Sequence, residues 1–383
     1  MTIIIFIIIL AILILVHEFG HFIVAKKSGI RVDEFGLGLP PRIWGKKFGE
    51  TLYSINWLPI GGFVKIFGED PVVEAPVARN TAQENEGREL HYGASPQEDY
   101  SRAMFTKPKW IQALVLVAGI SFNIIFAWIL ISLGFVIGLP TPVGESPFGQ
   151  VRNPQVVITN VLPNSPAQKA GLSSGDTVLY ASVGGRAVTD LSAENISKTI
   201  TQSTSGNVSI TYRHGSANPK TVTVAPNTDI IKGHRAIGIS MDTIGTLKLP
   251  IHLAFIEGAR STYLLVIGTA TGLAKFIYQT IIFKSDLSQV TGPVGIAGVV
   301  GQASQLGFVY LLSLVALISI NLALINLVPF PALDGGRLLF VAIEAIIRRP
   351  IPPVVTRWAN GIGFALLILL MVVVTTHDII KLF

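Results

Sequence analysis

Apolar runs long enough to cross a bilayer constrain this chain more than any other feature. A spanning helix needs about 20 consecutive apolar residues. Ile3–Val16 is uncharged and apolar, and the run resumes at Phe22–Ala25; Trp110–Leu139, Leu306–Pro329 and Trp358–Thr376 are three more. Only 14% of the 383 residues are charged, where a soluble protein carries about 25%. An ordinary soluble enzyme and a disordered chain are both excluded. A secretory signal is the alternative for the first run, but it needs basic residues ahead of the apolar stretch. Here none precedes, and Lys26, Lys27 and Arg31 follow. The first run therefore reads as a retained span with its N-terminus outside. The expected fold class is a multi-pass α-helical membrane protein with about four transmembrane helices.

Alternating four spans puts residues 26–109 and 337–357 in the cytoplasm. The charges agree: the first stretch opens with Lys26, Lys27, Arg31, Arg42, Lys46 and Lys47, and the second holds Arg337, Arg348, Arg349 and Arg357. Residues 145–245 are polar and carry period-two patterns such as Asn207–Tyr212 and Thr221–Ala225, as a small external β-rich domain would. Pro250–Phe283 is apolar but contains His252, Glu257, Arg260 and Lys275. It reads as an amphipathic interfacial helix or as an extra span with its partner. Residues 71–100, rich in Glu, Asn, Pro and Gln, read as a flexible cytoplasmic insertion. The expected divisions are thus 1–29, 30–70, 71–109, 110–139, 145–245, 250–304, 305–336, 337–357 and 358–377. No Lys/Arg run exceeds two residues, so no nucleic-acid partner is expected. There is no cysteine, which excludes disulfides, thiolate nucleophiles and cysteine metal sites.

His17-Glu18-Phe19-Gly20-His21 interrupts the first span. Residues i and i+4 project from one helix face, so two imidazoles can share a Zn²⁺, and the adjacent Glu18 can take a proton from water at the metal. A carboxylate and two imidazoles inside a span cost several kcal/mol unless they serve a pathway or a site. A catalytic zinc usually takes three protein ligands. His91, His214, His234 and His252 lie in loops or in the external domain, and His377 lies near the outer end of the last span. Asp334 is the better candidate, just beyond the third span in Asn326-Leu-Val-Pro-Phe-Pro-Ala-Leu-Asp334-Gly-Gly. Pro329 and Pro331 break the helix there, and Gly335 and Gly336 permit close backbone approach. A plain N-cap for a helix over 336–347 is the alternative role for Asp334. Spans one and three run the same way, so His17 and Asp334 reach a similar depth.

HEFGH in the first span, NLVPFPALDGGR near the third and an external domain between them resemble the site-2 protease family of intramembrane zinc metalloproteases, the bacterial regulator-of-sigma-E branch above all. The resemblance implies His17, His21 and Asp334 as zinc ligands and Glu18 as catalytic base. It implies a place in the bacterial inner membrane, with the active site toward the cytoplasm. It also implies single-span substrates of the anti-sigma-factor type already cut outside, and remnant signal peptides. The chain departs from the pattern in three places. GPxxN in the second span reads Gly119-Ile-Ser-Phe-Asn123, with Ile120 in place of Pro. There is room for one external PDZ domain where well-studied members have two, and the 71–100 insertion is longer than usual. The Asn164–Asp176 segment resembles the SPAxxAGLxxGD element of protease-type PDZ domains, which bind extended chains by strand addition. Val157, Ile158 and Thr159 are the candidate docking edge there, a purely steric role for the domain being the alternative.

Cutting a transmembrane helix requires a template that extends it. Thr51–Trp57 and Phe63–Phe67, around Pro59-Ile-Gly61-Gly62, read as two short strands. Tyr53, Ile55, Trp57, Gly61 and Gly62 are the candidate substrate contacts, in what resembles the family's membrane re-entrant β-loop, extended by Arg31–Gly38. A cytoplasmic hairpin that only packs on the enzyme is the alternative. Asn123 and Asn326 either hydrogen-bond the substrate or tie helices together. One copy in a lipid bilayer is expected to suffice. The rival functions are a non-catalytic PDZ membrane adaptor and a metal or ion transporter. Glu18 argues against the adaptor, since a binding-only site has no use for a base. The lack of an internal repeat argues against the transporter.

Overall fold

The computed structural model describes residues 2–69, 100–203, 205–215, 217–231, 234–282 and 291–380. The expected insertion at 71–100 therefore lies outside the described residues except for Tyr100. The chain forms two compact units, Met1–Leu130 with Arg260–Phe383, and Ile131–Ala259.

The first unit is built on α1 (Thr2–Lys27) and α2 (Lys109–Ile137). In α1 the buried residues are Ile9, Leu13, His17, Gly20, His21 and Ala25. They recur at steps of three and four, which is one helix face. The two imidazoles thus sit on the packing stripe, while Ile3, Ile8 and Ile12 stay exposed, as lipid-facing positions do. A strand pair follows α1: β1 (Val32–Phe48) and β2 (Thr51–Ile66), both long and both folded over. Glu34–Leu37 of β1 pairs with Leu52–Ile55 on one side and with Gly62–Lys65 on the other. Arg42–Phe48 of β1 pairs with the far side of the 51–56 stretch. The order across the sheet is therefore 42–48, 51–56, 32–39, 62–66. Gly61, at φ +98°, supplies the left-handed conformation at the fold in β2.

That order corrects one expectation. Tyr53 pairs with Phe35 and Lys46, and Ile55 with Leu37 and Trp44, so both lie in an inner strand with no free backbone edge. The Tyr53 ring packs with Phe22 and Phe35. Ile55 and Trp57 keep exposed side chains. The edge strands of the sheet are 42–48 and 62–66, and the second carries Gly62.

The second unit is a β-rich domain. Its strands are β3 (Leu139–Pro142), β4 (Arg152–Val161), β5 (Asp176–Val183), β6 (Arg186–Ala187), β7 (Val208–His214), β8 (Lys220–Val224), β9 (Asn227–Ile231), β10 (His234–Ala236) and β11 (Ile239–Leu247). Two helices accompany them, α3 (Pro166–Lys169) and α4 (Ala193–Gln202). The main sheet runs β3-β11-β4-β5-β7-β8 and is antiparallel throughout. Ile158, Ile196, Ile210 and Ile237 fill its core. Ser165 caps α3, accepting from Gln168 N–H at 3.2 Å, and Asp176 Oδ2 accepts from Ser173 N–H at 2.8 Å. The polar residues of the SPAxxAGLxxGD-like element are thus its turn-builders. A second expectation is corrected here. β4 pairs with β11 along its length but with β5 only at Val156 and Val157: Val157 faces Asp242 and Thr177, whereas Ile158, whose side chain is buried, and Thr159 have β11 as their one strand neighbour. Val157 therefore offers no open edge. Ile239–Asp242 of β11 is a further stretch with one strand neighbour, β4.

The rest of the chain is helical: α5 (Ile251–Ile281), α6 (Pro293–Leu306), α7 (Phe308–Leu327), α8 (Asp334–Ile347) and α9 (Pro353–Ile380). Five helices among the described residues are long and apolar enough to cross a membrane, against the four expected: α1, α2, α5, α7 and α9. The addition, α5, is the segment whose charges left two readings open. It is the least apolar of the five, and its most apolar stretch has no residue buried in the protein.

The helices of the first unit have a definite sense. Residues of α1 before the histidines pack with Leu311, Leu314 and Leu322 of α7, and the C-terminal ends of both approach the same place. At the other end, Gly301 of α6 packs on Thr2, and Gly292 and Gly295 pack on Asp378 of α9. Asp378 Oδ2 accepts from Gly295 N–H at 2.8 Å and so caps α6.

Candidate metal centre

Three side chains from two helices, α1 and α8, converge at one point. His17 Nε2 lies 2.8 Å from Asp334 Oδ2, His21 Nε2 lies 3.2 Å from the same oxygen, and the two Nε2 atoms are 3.2 Å apart. The imidazoles meet edge to face at 82°. His21 Nδ1 donates to the Val115 carbonyl oxygen at 2.8 Å. A carbonyl only accepts, so the His21 proton is on Nδ1 and its Nε2 presents a lone pair. A tetrahedral zinc with bonds of about 2.0–2.1 Å sets its ligand atoms roughly 3.3 Å apart. The observed separations and the donor set therefore fit Zn²⁺ held by two imidazoles and a carboxylate. Among the described residues this is the one such group.

Glycines make the convergence sterically open. A Cβ on Gly20 would sit 2.6 Å from Ala118 O, and one on Gly119 would sit 2.9 Å from His17 Cε1 and closer still to His21 Nε2. α1 and α2 thus approach through small residues, as membrane helices do. On the other side, α7 ends at Leu327 and Asp334 opens α8 as its first residue, with Leu333 at the cap position. Gly335 and Gly336 press on the backbone of Leu327, Val328 and Phe330, where any side chain would collide. α9 fixes the connecting loop. Ala332 N–H donates to Asn360 Oδ1 at 3.2 Å, and Gly363 packs on Pro331. Ala332 has φ +75°, an uncommon conformation for a residue with a Cβ.

A cavity of about 220 Å³ opens on this cluster, lined by Ile14, His17, Glu18, Leu322, Asn326, Ala332, Leu333 and Asp334. Glu18 Oε2 accepts from the Val64 backbone N–H at 3.1 Å. Gly62 lies 3.8 Å from Glu18 and Gly61 lies 3.8 Å from Ile14, each measured to a Cβ position. The 62–66 edge strand of the sheet thus runs beside the acid residue of the motif. Asn326 Nδ2 is 3.5 Å from His17 Nε2. Asn123 is fully buried, faces His17 Nδ1 at 3.3 Å and does not line the cavity. His214 pairs with Asp176 in the other unit.

Sequence reasoning named His17, Glu18, His21, Asp334 and Asn326, which the structure brings together around this cluster. It missed Val64, Asn360 and Gly363. Their contributions are a backbone N–H, a side chain from the last helix and the lack of a side chain, and no motif marks any of them.

The chain belongs to Peptidase family M50, whose model matches residues 5–370. It is 30% identical to the regulator of sigma-W protease RasP of Bacillus subtilis, covering 100% of this chain and 99% of that one. It is 31% identical to the zinc metalloprotease RasP of Bacillus licheniformis, with coverage of 100% and 99%. To the zinc metalloprotease RasP of Oceanobacillus iheyensis it is 30% identical, again with 100% and 99% covered. The chain is a membrane-embedded zinc metalloprotease of this family.

Proposed function

We propose that this protease cuts the transmembrane segments of single-span membrane proteins, with His17, His21 and Asp334 as zinc ligands and Glu18 as general base. The observation that carries the reading is the meeting of three ligand atoms, a carboxylate and an edge strand at one cavity within apolar helices. Bound there, Zn²⁺ supplies Lewis acidity toward the scissile carbonyl and toward water. Glu18, oriented by Val64 N–H, takes the proton of the attacking water and later returns it to the leaving amine. The outer edge of Gly62–Ile66 pairs with the unwound substrate backbone, replacing hydrogen bonds that its helix has lost. Asn326 Nδ2, in the same cavity, donates to the substrate carbonyl oxygen.

Orientation follows from charge. Lys26 and Lys27 end α1, and Arg337, Arg348 and Arg349 lie on or just after α8. All belong to the end of the bundle that carries the site, so the site opens toward the cytoplasm of a bacterial inner membrane. The Ile131–Ala259 unit is then extracytoplasmic, a PDZ-type module whose docking edge is Ile239–Asp242 of β11, where it admits chains already shortened by a first cut. A relative named for regulating sigma-W supports an anti-sigma factor as one substrate, with remnant signal peptides as a second class.

Glu18→Gln tests the reading. The expected result is a protein that keeps its zinc and no longer cleaves a model single-span substrate in detergent or liposomes. Cleavage at the wild-type rate overturns Glu18 as base, and wild-type protein purified without zinc overturns the ligand assignment.

A further inference from the structure

Asn123 sits at the centre of the bundle, fully buried, on α2. Its amide faces His17 Nδ1 at 3.3 Å, the ring nitrogen turned away from the metal cluster. The backbone carbonyl of the same residue accepts from Ser319 Oγ of α7 at 2.8 Å, so α2 and α7 are tied at this point. The Asn123 Oδ1 atom is buried with no hydrogen-bond partner.

The inventory of protons decides which way this amide works. A neutral imidazole carries one proton. If Nδ2 of Asn123 donates to His17 Nδ1, that nitrogen is bare and the proton lies on Nε2, pointing into the cluster at His21 Nε2 and Asp334. A ligand nitrogen must be bare, so His17 can bind a metal through Nε2 only with its proton on Nδ1. A protonated Nδ1 needs an acceptor, and the group facing it is the Asn123 amide. Carboxamide oxygen and nitrogen exchange places by a half-turn of the side chain. After that turn Oδ1 accepts from His17 Nδ1, and the amide nitrogen takes the place of an oxygen that otherwise has no partner. His21 already has the matching arrangement, donating Nδ1–H to Val115 O. Metal-bound histidines usually anchor their second nitrogen in this way.

We propose that Asn123 is a positioning residue for the zinc ligand His17: its amide oxygen holds the Nδ1 proton and so directs the Nε2 lone pair to the metal. The assignment rests on the zinc reading above. It replaces a substrate-binding role for Asn123, since the residue is buried behind the imidazole and away from the cavity.

Full-length protein is loaded with zinc in detergent micelles, and affinity is read by chelator competition for wild type, Asn123→Leu and Asn123→Asp. Asn123→Leu keeps the branched heavy-atom shape of the side chain and removes the acceptor, so zinc binding weakens about 10–100-fold while KM for a model substrate holds. Asn123→Asp retains an acceptor and keeps zinc near wild-type affinity. In ¹⁵N-histidine-labelled protein its charged oxygen also moves the His17 Nδ1 proton downfield. That shift decides the matter even if Asn123→Leu fails to fold. Wild-type zinc affinity in Asn123→Leu, or an Nδ1 proton that ignores the Asp substitution, overturns the proposal. A wild-type protein that binds no zinc defeats the metal reading instead, and the two failures are thus distinct.

Discussion

Replacing Gly119 with alanine tests whether the closeness of α1 and α2 is what allows two imidazoles to share an ion. The added methyl would lie 2.8 Å from His21 Cε1 and 2.9 Å from His17 Cε1. Carbon atoms rest about 3.5–4.0 Å apart, so the rings or the helices must yield by roughly 0.7 Å. Metal–ligand distances tolerate about 0.2 Å. Both histidines are displaced, and zinc affinity should fall by at least about 100-fold, the upper end of what removing a single supporting contact costs. The fold itself suffers less. Overpacking costs about 1–3 kcal/mol, and alanine recovers up to about 1 kcal/mol of helix propensity over glycine. A net loss of under about 2 kcal/mol leaves the bundle folded. Gly268→Ala, on α5 with nothing within 4 Å of its Cβ position, is the control and should keep zinc and activity. The assay is zinc per chain after dialysis, chelator competition and thermal unfolding by circular dichroism. A Gly119→Ala protein that binds one zinc per chain at wild-type affinity refutes the steric argument.

Two further outcomes concern the sheet and its anchoring. Val64→Pro deletes the N–H that holds Glu18 at an edge position where the sheet tolerates proline. Zinc content should stay at one per chain while kcat/KM falls at least about tenfold, and Val64→Ala, which keeps the N–H, should retain activity. The Arg102 guanidinium donates twice to Glu50 at 2.7 Å and holds that carboxyl below its ordinary range. The pair is partly exposed, so it contributes under about 1 kcal/mol. Because the folded value is lowered, this stabilisation is present above the ordinary value of about 4.3 and is lost as pH falls through the lowered one. Arg102→Gln should therefore melt below wild type near neutral pH, with the gap closing in acid. A gap of constant size across that range counts against the ion pair.

The metal motif was legible because its geometry is local. Two histidines four residues apart must share a face of any helix, and a helix is what an apolar run inside a bilayer has to form. Asp334 was legible for a related reason. Two prolines and two glycines force the chain to break at the end of a span, and the parallel sense of α1 and α7 puts that break level with His17. The charges of Lys26, Lys27, Arg348 and Arg349 carry the proposed orientation in the same local way.

Tertiary structure decided whatever depends on which segment lies beside which. Tyr53 and Ile55 alternate as residues of a half-buried strand would. Yet β1 folds over and flanks them on both sides, and the edge passes to Gly62–Ile66, whose Val64 N–H meets Glu18. Val157 is enclosed likewise by β5 and β11. Strand order is set by long-range pairing, and alternation along one strand reports its faces but not its neighbours. Asn123 read equally well as a substrate contact or a helix tie. Its place behind His17, rather than in front of it, comes from the rotation of α2 about its own axis, which the close approach of the two helices at Gly20 and Gly119 helps to set.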